Sequence, residues 1–166
     1  MKKLITEIIQ QLEEVQNGKL WIGSNFDDKL ESIENDSAFL RPINSLHSVA
    51  EIISHLTLWR KETILKIQTG QGSKTDDCEE NWQTNDQLRL IGWQAIKSNY
   101  DNTLSKLIEL LKSKNDDFLK ELYYDTDFKG YYPYRFVING MLHHDIYHLG
   151  QLGIIVKHLK ERKKVE

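Results

Sequence analysis

One cysteine, Cys78, and two prolines, Pro42 and Pro133, are all that the 166 residues contain of either type. A lone thiol excludes an internal disulfide and fits a reducing compartment. Long apolar runs are also missing: no stretch approaches the ~20 residues needed to span a bilayer. Met1-Lys2-Lys3 leads into a pattern interrupted by Glu7, Gln10, Gln11, Glu13 and Glu14. Neither a signal peptide nor a membrane helix is expected, and the expected compartment is the cytoplasm. Basic charge is not in excess, with 22 Lys and Arg against 25 Asp and Glu and a formal net charge of -3. That balance gives no electrostatic reason to expect nucleic acid as a partner. A Gly-x-Ser-x-Gly element and a phosphate-binding glycine loop are absent too, so serine-triad and nucleotide chemistry have no support.

What remains is the composition of a folded, helix-rich chain, 39% apolar and 28% charged, at a length that suits one domain over residues 1–166. Leu4, Ile5, Ile8, Ile9, Leu12 and Val15 recur at helical intervals and stop at Asn17-Gly18. Ser48-Val49-Ala50-Glu51 fits a capping box, although a start at Asn44 or Ser45 is compatible with the pattern. The helix that follows carries Ile52, Ile53, Leu56, Trp59, Ile64 and Ile67 and ends before Gly70. Residues 70–82 hold two glycines and four acids and read as an exposed loop. Thr84 and Gln87 form a second capping pair, and Leu88, Ile91, Ala95, Tyr100, Leu104, Leu107, Ile108 and Leu111 predict a third long helix. Pro133 suits the first turn of a fourth, running through Phe136, Met141, Ile146, Leu149, Leu152, Ile155 and Leu159 into Lys160–Lys164. Four such segments predict an all-α four-helix bundle. Residues 18–44, with a short helical turn near Phe26 to Ile33, and the tyrosine-rich residues 114–132 form two long crossing connections.

Chemistry concentrates in His143-His144-Asp145-Ile146-Tyr147-His148. His144 and His148 are four residues apart and share a helix face, where two neutral imidazoles can bind one transition-metal ion. Met141, Leu152 and Ile155 keep that face, whereas His143 points about 100° away on a helix. Such a pair also arises by chance, and ordinary hydrogen-bonded histidines are commoner than ligands. The candidate third ligand is His55, beside the apolar stripe of the second helix; His47 lies two turns earlier and His158 sits among lysines. Glu51, one turn before His55, is the candidate catalytic carboxylate: it could orient the imidazole, bind metal or act as a base. The bland alternative is a solvent-facing cap for Ser48. Tyr147 and Gln151 are pocket candidates, the latter able to bond a ligand histidine. Gly150 and Gly153 beside it predict close helix contact. Cys78, among four acids, is not expected to be a nucleophile.

These residues resemble a known family, the DinB-like or YfiT-like metal-dependent enzymes of bacteria. The likeness rests on Glu51-Ile52-Ile53-Ser54-His55-Leu56 and His144-Asp145-Ile146-Tyr147-His148-Leu149-Gly150-Gln151. It extends to Trp21, Pro42-Ile43, His47-Ser48-Val49, Trp59 and Trp82. The resemblance implies an up-down-down-up bundle, often dimeric, with His55, His144 and His148 holding nickel, zinc or a similar divalent ion. It also implies a reaction in which water or a low-molecular-weight thiol attacks a small electrophilic substrate, of hydrolase or thiol-transferase type. Three imidazoles would leave one position for water or a thiolate. A homodimer acting on a small molecule, without nucleic acid or membrane, is the expected form; a non-catalytic metal-binding or stress-related module is the alternative.

Overall fold

Ile5, Ile9, Leu12 and Val15 bury one face of α1 (Lys3–Asn17), and its first turn borrows a distant acceptor: the Ile5 N–H donates to Asp116 Oδ1 at 3.1 Å. The computed structural model describes residues 1–162, so the end of the lysine-rich tail, including Lys163 and Lys164, lies outside the described residues. The remaining elements are α2 (Phe26–Leu30), α3 (Val49–Thr69), α4 (Asn85–Ile91), α5 (Trp93–Lys112), β1 (Leu122–Asp125), β2 (Gly130–Pro133) and α6 (Tyr134–Arg162). Single 3-10 turns fall at Ser37–Phe39, Glu79–Trp82 and Phe118–Lys120. Among the described residues no helix is long and apolar enough to cross a membrane.

The Ser48–Glu51 capping box fixes the start of α3, which the sequence left open by a turn: Ser48 Oγ accepts the Glu51 N–H at 3.1 Å, and Glu51 Oε2 accepts the Ser48 N–H at 2.7 Å. Gly70 ends the helix in the left-handed region at φ 76°, where a side chain would be strained. α3 packs against both α5 and α6, and α1 packs on those same two helices from the other side. Because α3 is buried on several faces, its polar side chains need partners. Glu62 accepts the N–H groups of Ser73 and Lys74 at 2.6 and 3.1 Å, and Lys66 donates to Asp125 at 2.9 Å.

Several expectations need correction. The third helix is not continuous: Gly92, at φ 85° and ψ 145°, breaks it into α4 and α5. Only glycine adopts that backbone readily. The break rotates the apolar register, so Trp93 and Ile96 are buried while Ile91 and Ala95 face solvent. The loop after α3 is not wholly exposed. It is tied down at Glu62 and by a backbone bridge between Gln71 and Tyr124, and Asn81 is buried. Its acids Asp76, Asp77, Glu79 and Glu80 do face solvent.

The third correction concerns Gly150 and Gly153, which do not mark close helix contact. A Cβ at residue 150 would meet nothing within 4 Å, and one at 153 only the end of Lys29 at 3.8 Å. With no packing reason for the glycine, Gly150→Ala is expected to stabilise the fold by about 0.5–1 kcal/mol, read as a raised urea midpoint.

The chain is mostly helical rather than all-α, and Pro133 ends β2 rather than lying in the first turn of α6. Residues 122–133, rich in strand-favouring tyrosine, form an antiparallel hairpin with Tyr123 opposite Tyr132 and Tyr124 opposite Tyr131. Asp125 shapes its turn by accepting the N–H groups of Asp127 and Phe128 at 3.0 and 3.2 Å. Tyr124 anchors the hairpin to the end of α3 through Gly70 O and the Gly72 N–H. Tyr123 is buried, and its ring stacks on Tyr134 at the start of α6. The hairpin thus closes one end of the groove between α3 and α6.

Candidate metal centre

His55 on α3 faces His144 and His148 on α6. Their Nε2 atoms are 2.9 Å apart for the His55–His144 pair and 3.1 Å for the His144–His148 pair, and all three ligand atoms lie within 4.8 Å of one another. The outer nitrogens decide the tautomers. His55 Nδ1 lies 3.1 Å from Asn81 O, and His148 Nδ1 lies 2.7 Å from Gln151 Oε1. A carbonyl oxygen only accepts, so both rings carry their proton on Nδ1 and present a bare Nε2 lone pair inward. A neutral His144 can satisfy at most one of them with an Nε2–H. Three converging imidazole lone pairs fit a divalent transition metal. Two bonds of about 2.1 Å at a tetrahedral angle would hold their nitrogens about 3.4 Å apart, a few tenths of an ångström beyond the present spacings.

Burial keeps the rings neutral. It pushes the His144 imidazole down to about 3, with help from His148, His55 and Arg60. It takes His148 down to about 4, aided by His55 and opposed by the Gln151 bond. His55 is lowered by burial, against the Asn81 bonds. Above the ordinary histidine value of about 6.5, folded and unfolded chains are equally unprotonated at these sites. Below it the unfolded chain takes up protons that the folded site refuses. The metal-free protein is therefore expected to lose stability as pH falls from about 6.5 toward the folded values near 3 to 4. Urea midpoints measured against pH should show this slope, and it should flatten in a His144→Asn variant.

Glu51 does not orient His55, and it is not the solvent-facing cap of the bland reading. It is only 2% exposed, and its oxygens are taken by the Ser48 N–H, by Arg41 Nε at 3.0 Å and by Arg41 Nη2. Burial pushes its carboxyl upward, but the Arg41 and Ser48 bonds outweigh that and leave it below the usual value. Orientation of His55 falls to Asn81 instead, whose side chain is itself clamped: Oδ1 accepts Trp59 Nε1–H at 2.9 Å and Nδ2 donates to Asp76 O at 2.7 Å. Trp82 lies between His47 and His55, parallel to each within 6° and with centroids 3.8 and 4.0 Å away. Asn81 was missed in the sequence because it sits in a loop without periodicity; a tryptophan inside an acidic stretch was the available signal.

Gln151 bonds His148, as described. Tyr147 is 63% exposed and meets His148 edge-on at 5.0 Å, but it does not line the cavity beside the triad. His143 is solvent-exposed on that cavity's wall, and His158 is on the surface near Glu161. Cys78 lines neither the triad nor the cavity.

Directly behind His144 lies a polar knot that the sequence did not announce. Arg60 and Asp145, both inaccessible to solvent, pair at 2.8 Å, and Arg60 also donates to Tyr100 Oη at 2.8 Å. It ties α3, α5 and α6 together beneath the histidines.

The cavity has a volume of about 770 Å³ and runs from His55 and His144 along α3 and α6 to the hairpin. Trp59, Thr63 and Lys66 line one wall, Val137, Gly140 and Met141 the other, and Phe128 and Asp125 belong to the hairpin.

The sequence profile of the DinB superfamily matches residues 22–152, which include all three histidines, and the chain belongs to that superfamily. No curated protein sequence matches it. Among solved structures it is similar to YfiT from Bacillus subtilis, described as a probable metal-dependent hydrolase with an unusual four-helix bundle topology. The TM-score is 0.62 at 11% identity, over 98% of this chain and 90% of the other. At that identity the likeness establishes the four-helix bundle fold.

Proposed function

We propose that the protein is a small metal-dependent enzyme in which His55, His144 and His148 hold one nickel or zinc ion. Water or a low-molecular-weight thiol would attack a small electrophilic substrate, as in a hydrolase or thiol transferase. One observation carries the reading: His55 and His148 each give their Nδ1 proton to an oxygen, leaving Nε2 lone pairs aimed at the same spot as His144. The description of YfiT supports it. When bound, the ion supplies Lewis acidity toward water, thiol or carbonyl.

The chain's own groups do the positioning. Asn81 O and Gln151 Oε1 fix ring orientation, and burial keeps the imidazoles available as neutral ligands. The cavity admits a substrate past His144. Glu51 serves the site as a brace, committed to Arg41 and to the cap of α3, whereas Asp76 is the nearby acid that lines the cavity. We read the bundle as up-down-down-up. In support, Lys2 just before α1 and Gln16 within it bond to Lys112 and Asp101 of α5, and Tyr134 and His144 of α6 meet Lys66 and His55 of α3. Tyr134 also stacks on Phe118 just after α5, which puts the ends of α3 and α5 together.

The test is metal analysis of the purified protein, followed by turnover. About one divalent ion per chain is expected, together with hydrolysis of activated esters or transfer of a thiol to an electrophile, and both should be lost in the triple histidine variant. Protein without affinity for divalent metal would sink the reading. Stoichiometric metal without turnover on either panel would favour the non-catalytic metal-binding module.

A further inference from the structure

The cavity is far longer than hydrolysis of a minimal electrophile requires. His55 and Lys66 are eleven residues apart on α3, so the histidine end and the hairpin end are separated by roughly 16 Å. Its volume of about 770 Å³ falls within the range of pockets that enclose a whole small molecule.

Between those ends, the polar groups on the α3 wall, and Tyr123 and Asp125 at the hairpin, are already consumed. Trp59 Nε1–H donates to Asn81, and Thr63 Oγ1–H to Trp59 O at 2.9 Å. Lys66 Nζ and Tyr123 Oη both donate to Asp125 Oδ2, at 2.9 and 2.8 Å, while Asp125 Oδ1 takes two backbone N–H groups of its own turn. What is left to meet a guest is mostly carbon: the Trp59 ring, Val137, Met141, and the rings of Phe128 and Phe136, which pack edge-to-face at 5.6 Å, with Arg135, Asn139 and His143 of α6 and Asp127 of the hairpin turn as the polar lining.

Gly140 leaves the groove open on its α6 side. It lies mid-helix in α6 on the cavity wall, and a Cβ there would meet nothing within 4 Å. Neither backbone conformation nor packing requires glycine at this position, so its effect is to widen the groove.

We infer that the substrate of this site carries an extended apolar tail, an acyl or arylalkyl chain, laid between α3 and α6 across Gly140 toward the hairpin, with its reacting group beside His55 and His144. The position of the reacting group rests on the metal-centre reading; the tail does not. A tail of this kind gains affinity from burial alone, and polar groups laid against Trp59, Val137, Met141 and the two phenylalanines would lose water without a partner there.

The probe is a series of N-methylalkanamides with acyl chains of two to twelve carbons, titrated calorimetrically into the protein as purified. Affinity should rise by up to roughly fourfold per added methylene and level off once the chain reaches the hairpin. Gly140→Leu should flatten the series, whereas Gly140→Ala should keep its slope. A readout that does not depend on Gly140 is tryptophan quenching by a chain-brominated member of the series, strong in the native protein and largely lost in Trp59→Phe. A flat series overturns the proposal. So does a slope unchanged in folded Gly140→Leu, or one that vanishes with rising protein concentration because a second copy fills the groove. Metal content is measured on the same samples. A sloped series on protein that takes up no added divalent metal would defeat the metal reading alone, and a flat series on metal-loaded protein would defeat the tail alone.

Discussion

His144→Ala is expected to take the protein from about one bound divalent ion per chain to background, with the fold intact. In the proposed site His144 is the central ligand, since its Nε2 is the atom that both other imidazoles approach, at 2.9 and 3.1 Å. Without it, His55 and His148 remain on different helices, and two neutral imidazoles alone hold a metal weakly. The effect should exceed that of Gln151→Ala, which removes only the hydrogen bond holding His148; losing such an outer partner costs roughly 10- to 100-fold in affinity. Titration calorimetry with zinc and nickel on both variants gives the order directly. Equal affinity in His144→Ala and the native protein would put any metal elsewhere on the chain.

The largest effect on stability is expected at Arg60. Arg60→Met leaves the Asp145 carboxylate buried without its 2.8 Å partner, and breaking a buried pair from one side costs about 3–5 kcal/mol. For a chain of this length that lowers the melting temperature by on the order of 10 °C. Two atoms of the pair, Arg60 Nε and Asp145 Oδ1, already have no hydrogen-bond partner, so the knot is not an optimised source of stability. The double variant Arg60→Met, Asp145→Leu is accordingly expected to recover most of the loss, because it removes both desolvated charges together. Urea denaturation of the two variants measures both numbers. A loss below about 1 kcal/mol in Arg60→Met would mean that the pair behaves like a surface ion pair despite its burial.

Much of this architecture was legible because it depends on local periodicity. Ile5, Ile9, Leu12 and Val15 signal a buried stripe in any fold that buries α1, and Ser48 with Glu51 marks a helix start through bonds made within one turn. The failures fall where a single residue or a distant partner decided. Gly92 looks like a tolerable glycine inside a periodic run, yet its positive φ splits the helix and turns Ile91 outward. Gly150 and Gly153 were misjudged for the opposite reason, since spacing cannot report whether a neighbour is there.

The site divides in the same way. The i, i+4 spacing of His144 and His148 places both on one face of a helix, and that much the amino-acid order determined, along with the mostly helical fold and, from a single cysteine, the exclusion of an internal disulfide. Whether His55 meets them, that Asn81 O holds the His55 Nδ1 proton, and how far the groove runs toward the hairpin were decided by the tertiary structure. Those contacts join residues 26 and 89 positions apart. Nothing in local sequence fixes the distance between such segments, which follows from how α3 and α6 pack against the shared core.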